Sequence, residues 1–289
     1  MKLFEILFWP ITAPIKFIQN NFKATLLVLI LVLIFTSQEE PLQTANLAQI
    51  ELKGSIMDAN KVLSAIDNAK SDTNIKGVLF LVDSPGGAVA PSVEIAYAIK
   101  ELNKLKPVIA YATGTMASGS YYASIWSDKI YANPGSTIGS IGVILQSMDA
   151  SELLEKIGIK EQNIKVGKYK GMGTPTRAWE DFEKEELTKV IQGTYDMFTQ
   201  DVAKARGLDI NNAGKFADAR IFTSAQAKEV GLIDNVTTLT HVKKELQKIS
   251  KVESPIWQKQ NKMDKFFDKL VNESVLKISE QLSDKLMAY

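Results

Sequence analysis

From about residue 47 onward, short apolar runs alternate with stretches whose apolar residues recur at helical spacing. A-Q-I-E-L-K-G (48–54) alternates in polarity and predicts a strand, and M-D-A-N-K-V-L-S-A-I-D-N-A (57–69) predicts a helix. G-V-L-F-L-V-D (77–83) is apolar up to its last residue, the pattern of a strand covered on both faces. Val93, Ile95, Ala96, Ile99 and Leu102 predict a helix over 90–104, and P-V-I-A-Y-A (107–112) the next strand. Further strands are expected at 129–132, 141–145 and 164–166, with a helix over 150–157 before the last. A long helix over 179–206 carries Leu187, Val190, Ile191, Tyr195 and Phe198 on one face, and a short one over 224–230 ends at Gly231. Alternation of this kind argues for α/β layers around a mostly parallel sheet.

The two ends depart from that pattern. Residues 24–35, A-T-L-L-V-L-I-L-V-L-I-F, are uninterruptedly apolar, with Lys23 before them and T-S-Q-E-E-P after. Twelve residues suit a signal-peptide core better than a bilayer span of roughly 20. Phe22, a snorkelling Lys23, Thr36 and Ser37 extend the segment to about 16 residues. With no small-x-small cleavage site following, a retained anchor over 24–37 is expected. Lys2, Lys16 and Lys23 precede it and Glu39 and Glu40 follow, so the N-terminus is expected in the cytoplasm and the rest of the chain across the inner membrane. Residues 1–23, with Trp9 and two prolines, read as an interfacial leader and 38–46 as a linker. The main domain is expected over 47–250. From 251 to 289, Trp257, Met263, Phe266, Phe267, Leu270 and their successors form an amphipathic helical stripe, most simply a packing surface.

Composition narrows the chemistry. Charged residues are 23% and nearly balanced at formal +1, which gives no reason to expect a nucleic-acid partner. Zero cysteines exclude disulfides, thiol catalysis and cysteine–metal sites, and a single histidine argues against a histidine-rich metal site.

Three glycine-rich points fall at strand ends, where open parallel sheets place their sites. D-S-P-G-G (83–87) offers unshielded N–H groups at Gly86 and Gly87, for an anion or oxyanion or simply for a turn. A-S-G (117–119) sets Ser118 before a helical S-Y-Y-A-S-I-W, as a helix cap or as an exposed nucleophile. S-T-I-G-S-I-G-V (136–143) places Ser140 between two glycines. A hydrolytic serine needs a base, and the one histidine, His241, lies in T-T-L-T-H-V-K-K-E-L, which reads as a solvated helix. A lysine serves where burial populates its neutral amine. Composition does not choose one, but V-G-K-Y-K-G-M-G-T-P-T-R (166–177) stands out, holding Lys168 and Lys170 in an irregular stretch before the long helix.

In this order and spacing, D-S-P-G-G, A-S-G-S-Y-Y, T-I-G-S-I-G-V and G-K-Y-K-x5-T-R resemble the bacterial signal peptide peptidases (SppA), membrane-anchored serine–lysine proteases. The resemblance covers about residues 47–240 and includes D-A-R-I-F-T-S-A-Q-A-K-E-V-G-L-I-D at 218–234. It implies a Clp protease/crotonase-like α/β fold with layered, mostly parallel sheets and flanking helices, joined here to an N-terminal anchor and a C-terminal amphipathic helical region. It also implies Ser118 as nucleophile, Lys170 rather than Lys168 as general base, Ser140 as the residue orienting the lysine, and the N–H groups of Gly87 and Gly119 as the oxyanion hole. No cofactor or metal is implied. The partners implied are short apolar peptides such as remnant signal peptides, the membrane, and further copies of the chain. Members form closed rings or domes in which serine and lysine of one site come from neighbouring subunits. A protease specific for particular membrane proteins, and a non-catalytic tethered scaffold, are the alternative readings. This chain departs from the pattern at Asp83, where many relatives have asparagine, at Ser120, where many have a second glycine, and at Ala219, where D-G-R is common.

Overall fold

The structure, a computed structural model, describes residues 17–36 and 44–258. Residues 1–16 of the leader expected over 1–23, residues 38–43 of the linker expected over 38–46 and residues 259–289 of the helical region expected over 251–289 lie outside the described residues, while Trp257 of that region forms a parallel bridge with Leu47. The described residues up to Thr44 and those from Ala45 onward belong to separate units. The first unit contributes helix α1 (Phe22–Thr36) over the expected anchor. Its 15 residues rise about 22 Å, short of the ~30 Å hydrocarbon core of a bilayer. Among the described residues, no helix is long and apolar enough to cross a membrane.

In the second unit, β1 (Leu47–Lys53), β2 (Gly77–Ser84), β3 (Val108–Ala117), β4 (Lys129–Ala132) and β7 (Asn235–Val236) lie side by side in that order. All these neighbours pair in parallel. Parallel pairing needs a long crossover, which α2 (Asn60–Ser71) and α3 (Val89–Asn103) provide between the first three strands. Successive side chains of β2 point to opposite faces of the sheet, and all but the last two residues are apolar and buried. Val78, Phe80 and Val82 enter the larger core with Ile66 of α2 and Ile95 and Ile99 of α3. Leu79 and Leu81 turn the other way, joining Leu47, Ile109 and Tyr111 beneath Val242 and Leu246 of α8 (Leu239–Ile249). Each such side chain contributes about 1.5–3 kcal/mol when fully buried.

Strand β3 belongs to two limbs of the sheet. Its first half pairs with β4 over 109–112, and its second half pairs with β5 (Thr137–Gly139) over 115–117. Between them the β2–β3 register slips, and the Asp83 carboxylate fills the irregularity by accepting the Thr115 N–H at 2.9 Å. Strand β6 (Ile221–Thr223) then pairs antiparallel with β5, so the expected layered sheets are one connected seven-stranded sheet with a branch. Helix α4 (Gly119–Ser124) follows β3, the long helix α6 (Asp181–Arg206) packs its C-terminal half on the core through Phe198 and Val202, and α7 (Ser224–Glu229) follows β6.

The strands expected at 141–145 and 164–166 are absent. The left-handed backbone of Ser140 (φ 51°) turns the chain out of the ladder, and β5 begins four residues before the expected strand. Ile164 and Val166 are 105% and 95% exposed, so they meet no sheet. The stretch from 143 to 173 carries only the one-and-a-half-turn helix α5 (Ser151–Lys156), which has no buried residue. The helix around His241 is α8, solvated along the His241 side and buried along the Val242–Leu246 side. At the other end, residues 254–258 clasp the start of β1. Asn46 Nδ2 donates to Ser254 O (2.8 Å), its Oδ1 accepts the Ile256 N–H (2.8 Å), and Gln258 N–H donates to Leu47 O (2.8 Å).

Candidate active site

Strands β2 and β3 end side by side, with Ser84 opposite Met116, so the D-S-P-G-G and A-S-G turns meet. Their approach depends on a bare α-carbon at Gly86. A methyl group there would lie 2.7 Å from the Gly119 nitrogen and 2.8 Å from the Ser118 β-carbon. Gly87 forms an isolated parallel bridge with Ile56, fixed by Ile56 N–H to Gly86 O (2.9 Å) and Ala88 N–H to Ile56 O (2.7 Å). Neither the Gly87 nor the Gly119 N–H donates a backbone hydrogen bond among the described residues. A β-carbon on Gly119 would sit 3.4 Å from the Gly87 nitrogen, so the two donors flank one small space.

Ser118 stands at the turn from β3 into α4 with φ 52° and ψ −124°, a conformation that costs a non-glycine residue about 1–3 kcal/mol. Its N–H donates to Gly139 O (2.8 Å) and its carbonyl accepts the Tyr122 N–H (3.0 Å). The hydroxyl makes no capping bond and is half-buried, which removes the cap reading and leaves the oxygen available. Ser120 is different: fully buried, its Oγ lies 2.6 Å from Ser84 O and 2.9 Å from Ala117 O and accepts the Ala117 N–H. Of the two serines flanking Gly119, only Ser118 presents a hydroxyl to a substrate.

The β3–β5 ladder ends at Ala117 and Gly139, and Ser118 and Ser140 are the residues that follow on the two strands, tied by the Ser118 N–H to Gly139 O. Its backbone is also left-handed, and its N–H donates to Arg220 O (2.8 Å). Gly87, Ser118 and Gly119 open into a cavity of about 100 Å³ whose walls include Val93, Tyr122 and Phe198. That volume is below the ~300 Å³ at which pockets enclose a whole small ligand, and it fits a side chain of a longer molecule. The wall is rigid: the Tyr122 and Phe198 rings meet edge to face at 4.9 Å, and the Tyr122 hydroxyl donates to Asp201 at 2.5 Å. Burial, followed by that carboxylate, pushes the Tyr122 phenol far above its ordinary value, so it remains a donor. Sequence reasoning did not single out Tyr122 or Asp201 for the site. The apolar stripe that flagged Phe198 continues one turn on to Asp201, and that was the available signal.

Lys170 is elsewhere. It lies in the exposed turn 167–173, away from the cavity lining, and among the described residues no contact joins it to Ser118 or Ser140. Its neighbour Lys168 is engaged, with Nζ 4.6 Å from the Phe182 ring centroid. The stretch bearing Lys170 is pinned at its base. Arg177 holds the fully buried Glu183 by two bonds of 2.7 and 2.6 Å, and Glu183 also accepts the Glu180 N–H at 2.9 Å, closing a capping box at the start of α6. The guanidinium and then the backbone donor hold the Glu183 carboxyl down at about 2. Gly87, Gly119, Ser118 and Ser140 thus converge within one chain, and Lys170 does not join them. A hydroxyl beside two unpaired N–H groups suits attack on a carbonyl whose developing oxyanion those donors would receive.

Residues 100–253 match peptidase family S49. The chain is 42% identical over 198 residues to a provisionally named protease of Methanocaldococcus jannaschii, covering 68% of this chain and 64% of that one. It is 39% identical over 175 residues to a provisionally named signal peptide peptidase SppA of Enterococcus faecium, covering 60% and 51%. To the chloroplastic serine protease SPPA of Arabidopsis thaliana it is 32% identical over 188 residues, covering 65% and 28%. The chain spans less than two thirds of the length of each of these relatives.

Proposed function

Because this chain belongs to peptidase family S49, we propose that it is a serine endopeptidase that cleaves short apolar peptides, remnant signal peptides above all. The observation that carries this reading is the uncapped, half-buried hydroxyl of Ser118 at a strained turn beside two unpaired N–H groups. Ser118 attacks the scissile carbonyl, and its proton passes to the neutral amine of Lys170, which returns it to the leaving amine. The Gly87 and Gly119 N–H groups hold the oxyanion, and Ser140 orients the lysine. The acyl group on Ser118 is then released by water through the same base. No cofactor enters.

The lysine comes from a neighbouring copy. Support lies in the stretch that carries it: Ile144 and Met148 are each 80% exposed, Ile164 and Val166 more so, and Val190 on the facing helix α6 is exposed as well. Apolar surface of this extent marks an interaction face. A closed homo-oligomeric ring or dome would cover it and bring Lys170 of one subunit to Ser118 of the next. We further place the chain at the inner membrane, tethered through the apolar α1 and its flanking residues, with the N-terminus cytoplasmic and the protease domain outside.

The test uses the full chain in detergent micelles, an apolar signal-type peptide and mass spectrometry. Ser118→Ala and Lys170→Ala should each abolish cleavage with assembly intact, and mixing the two inactive variants should restore part of it. Activity in either single variant removes that residue from the mechanism, and failure to complement refutes the shared site.

A further inference from the structure

Four non-glycine residues have positive φ among the described residues, and three of them, Ser118, Ser140 and Ala219, share one hydrogen-bonded patch. Ser118 N–H donates to Gly139 O (2.8 Å), Ser140 N–H to Arg220 O (2.8 Å) and Ala219 N–H to Ile141 O (3.0 Å). The patch extends the β3–β5–β6 ladders past their ends, so the backbone geometry of one strained residue is passed to the next. Ala219 also presses on the cavity wall. A β-carbon on Gly142, which lines the cavity, would lie 2.6 Å from the Ala219 methyl.

An alanine does not hold a left-handed conformation by itself. The flanking residues do it. Arg220 Nε lies 2.7 and 2.8 Å from the two Asp218 carboxylate oxygens, Arg220 Nη2 bonds the same carboxylate, and Arg220 N–H donates to Asp218 Oδ1 at 3.3 Å. This fork closes the turn across Ala219. The Arg220 side chain is 54% exposed and that of Asp218 38%, and neither lines the cavity.

We propose that the Asp218–Arg220 clamp is a positioning element of the catalytic site: by holding Ala219 left-handed it sets the backbone of Ser140 and, through Gly139, that of Ser118. The inference rests on the serine–lysine reading above. An exposed ion pair normally contributes little to folding, so the consequence of losing it should appear in turnover rather than in stability. A displacement of about 1 Å in reacting groups lowers rates by up to about a hundredfold.

The experiment measures kcat and KM of the full chain in detergent micelles on a fluorogenic apolar peptide, together with melting temperature and the labelling rate of Ser118 by a fluorophosphonate. Asp218→Ala and Arg220→Gln are each expected to lower kcat about tenfold or more, with KM, melting temperature and assembly near the parent's and labelling slowed in proportion. The double variant should lose no more than either single one, because both remove the same clamp. Parent-like kcat in both single variants, a loss that follows a fall in melting temperature, or additive losses in the double variant would overturn the inference. A Ser118→Ala control separates the two levels. If it is dead while the clamp variants turn over normally, the clamp inference alone fails. If it still cleaves, or the parent cleaves nothing, the serine reading falls and takes the clamp with it.

Discussion

Replacing Gly87 with alanine puts the proposed oxyanion hole under direct test. The new methyl would collide with the Ile56 carbonyl and lie 2.6 Å from the Ile56 nitrogen, both backbone atoms. The Ile56–Gly87 bridge must open, releasing the two hydrogen bonds that flank it. At about 1 kcal/mol net for each bond, the fold should lose about 2 kcal/mol. For a domain of this size that lowers the melting temperature by about 4–8 °C. The Gly87 N–H moves with the bridge, and loss of one oxyanion donor costs about 10²–10³ in kcat, or ~2.7–4 kcal/mol of barrier. The control is Gly54→Ala. Gly54 also has positive φ (69°), but a methyl there meets nothing within 4 Å. It should lose about 1–2 kcal/mol of stability from backbone strain alone and keep its turnover. Steady-state kinetics on an apolar peptide, paired with thermal unfolding, would read both quantities. If Gly87→Ala loses the expected stability yet keeps kcat within about threefold of the parent, the Gly87 N–H is not an oxyanion donor, since even one lost donor should cost about a hundredfold.

Three further outcomes follow from the structure. Glu183 is held at about 2 in the folded chain against an ordinary 4.5, so its contribution is complete above pH 4.5 and fades as pH falls toward 2; the melting temperature of the parent should drop across that window and that of Glu183→Gln should stay flatter. Phe198→Ala removes the ring that walls the cavity, and should cost about 3–5 kcal/mol while shifting peptide preference toward bulkier residues at the cut, read by mass spectrometry of a peptide mixture. Ala219→Gly relieves a left-handed alanine (φ 65°), so unfolding should show a gain of about 0.5–1 kcal/mol after the added flexibility of the unfolded chain is deducted.

Much of the architecture was legible because burial writes itself into apolar patterning. β2 is apolar on both faces because the sheet is covered on both faces, and α3 shows its stripe because Ile95, Ile99 and Leu102 are fully buried. The glycine turns were legible for a related reason: only bare α-carbons let β2 and β3 end in contact. I-G-V-I-L at 141–145 misled because an apolar run implies cover without saying whose. Ile144 finds none within its own chain. Strands as short as β6 and β7 carry too few residues for periodicity to register. The site divides in the same way. Residues tied to strand ends were placed together by local pattern, whereas the partner for Lys170 is not fixed by anything local to 166–177. The departure at Ala219, which as sequence is a glycine exchanged for a residue one methyl larger, shows its cost once its φ of 65° is known.

The clasp between Asn46 and residues 254–258 has a mechanical consequence. The strand that opens the main domain and the segment that closes it are fastened to each other, so a pull delivered through residue 44 is borne first by that fastening and not by the pairing of β1 with β2. The domain could be cut in an exposed turn such as 158–163 and closed by a short link between residues 45 and 258 without asking any element of the sheet to move. Residues 46 and 258 thus share one doorway on the domain, at the start of the edge strand β1, while the turns of the candidate site lie at the opposite ends of β2 and β3.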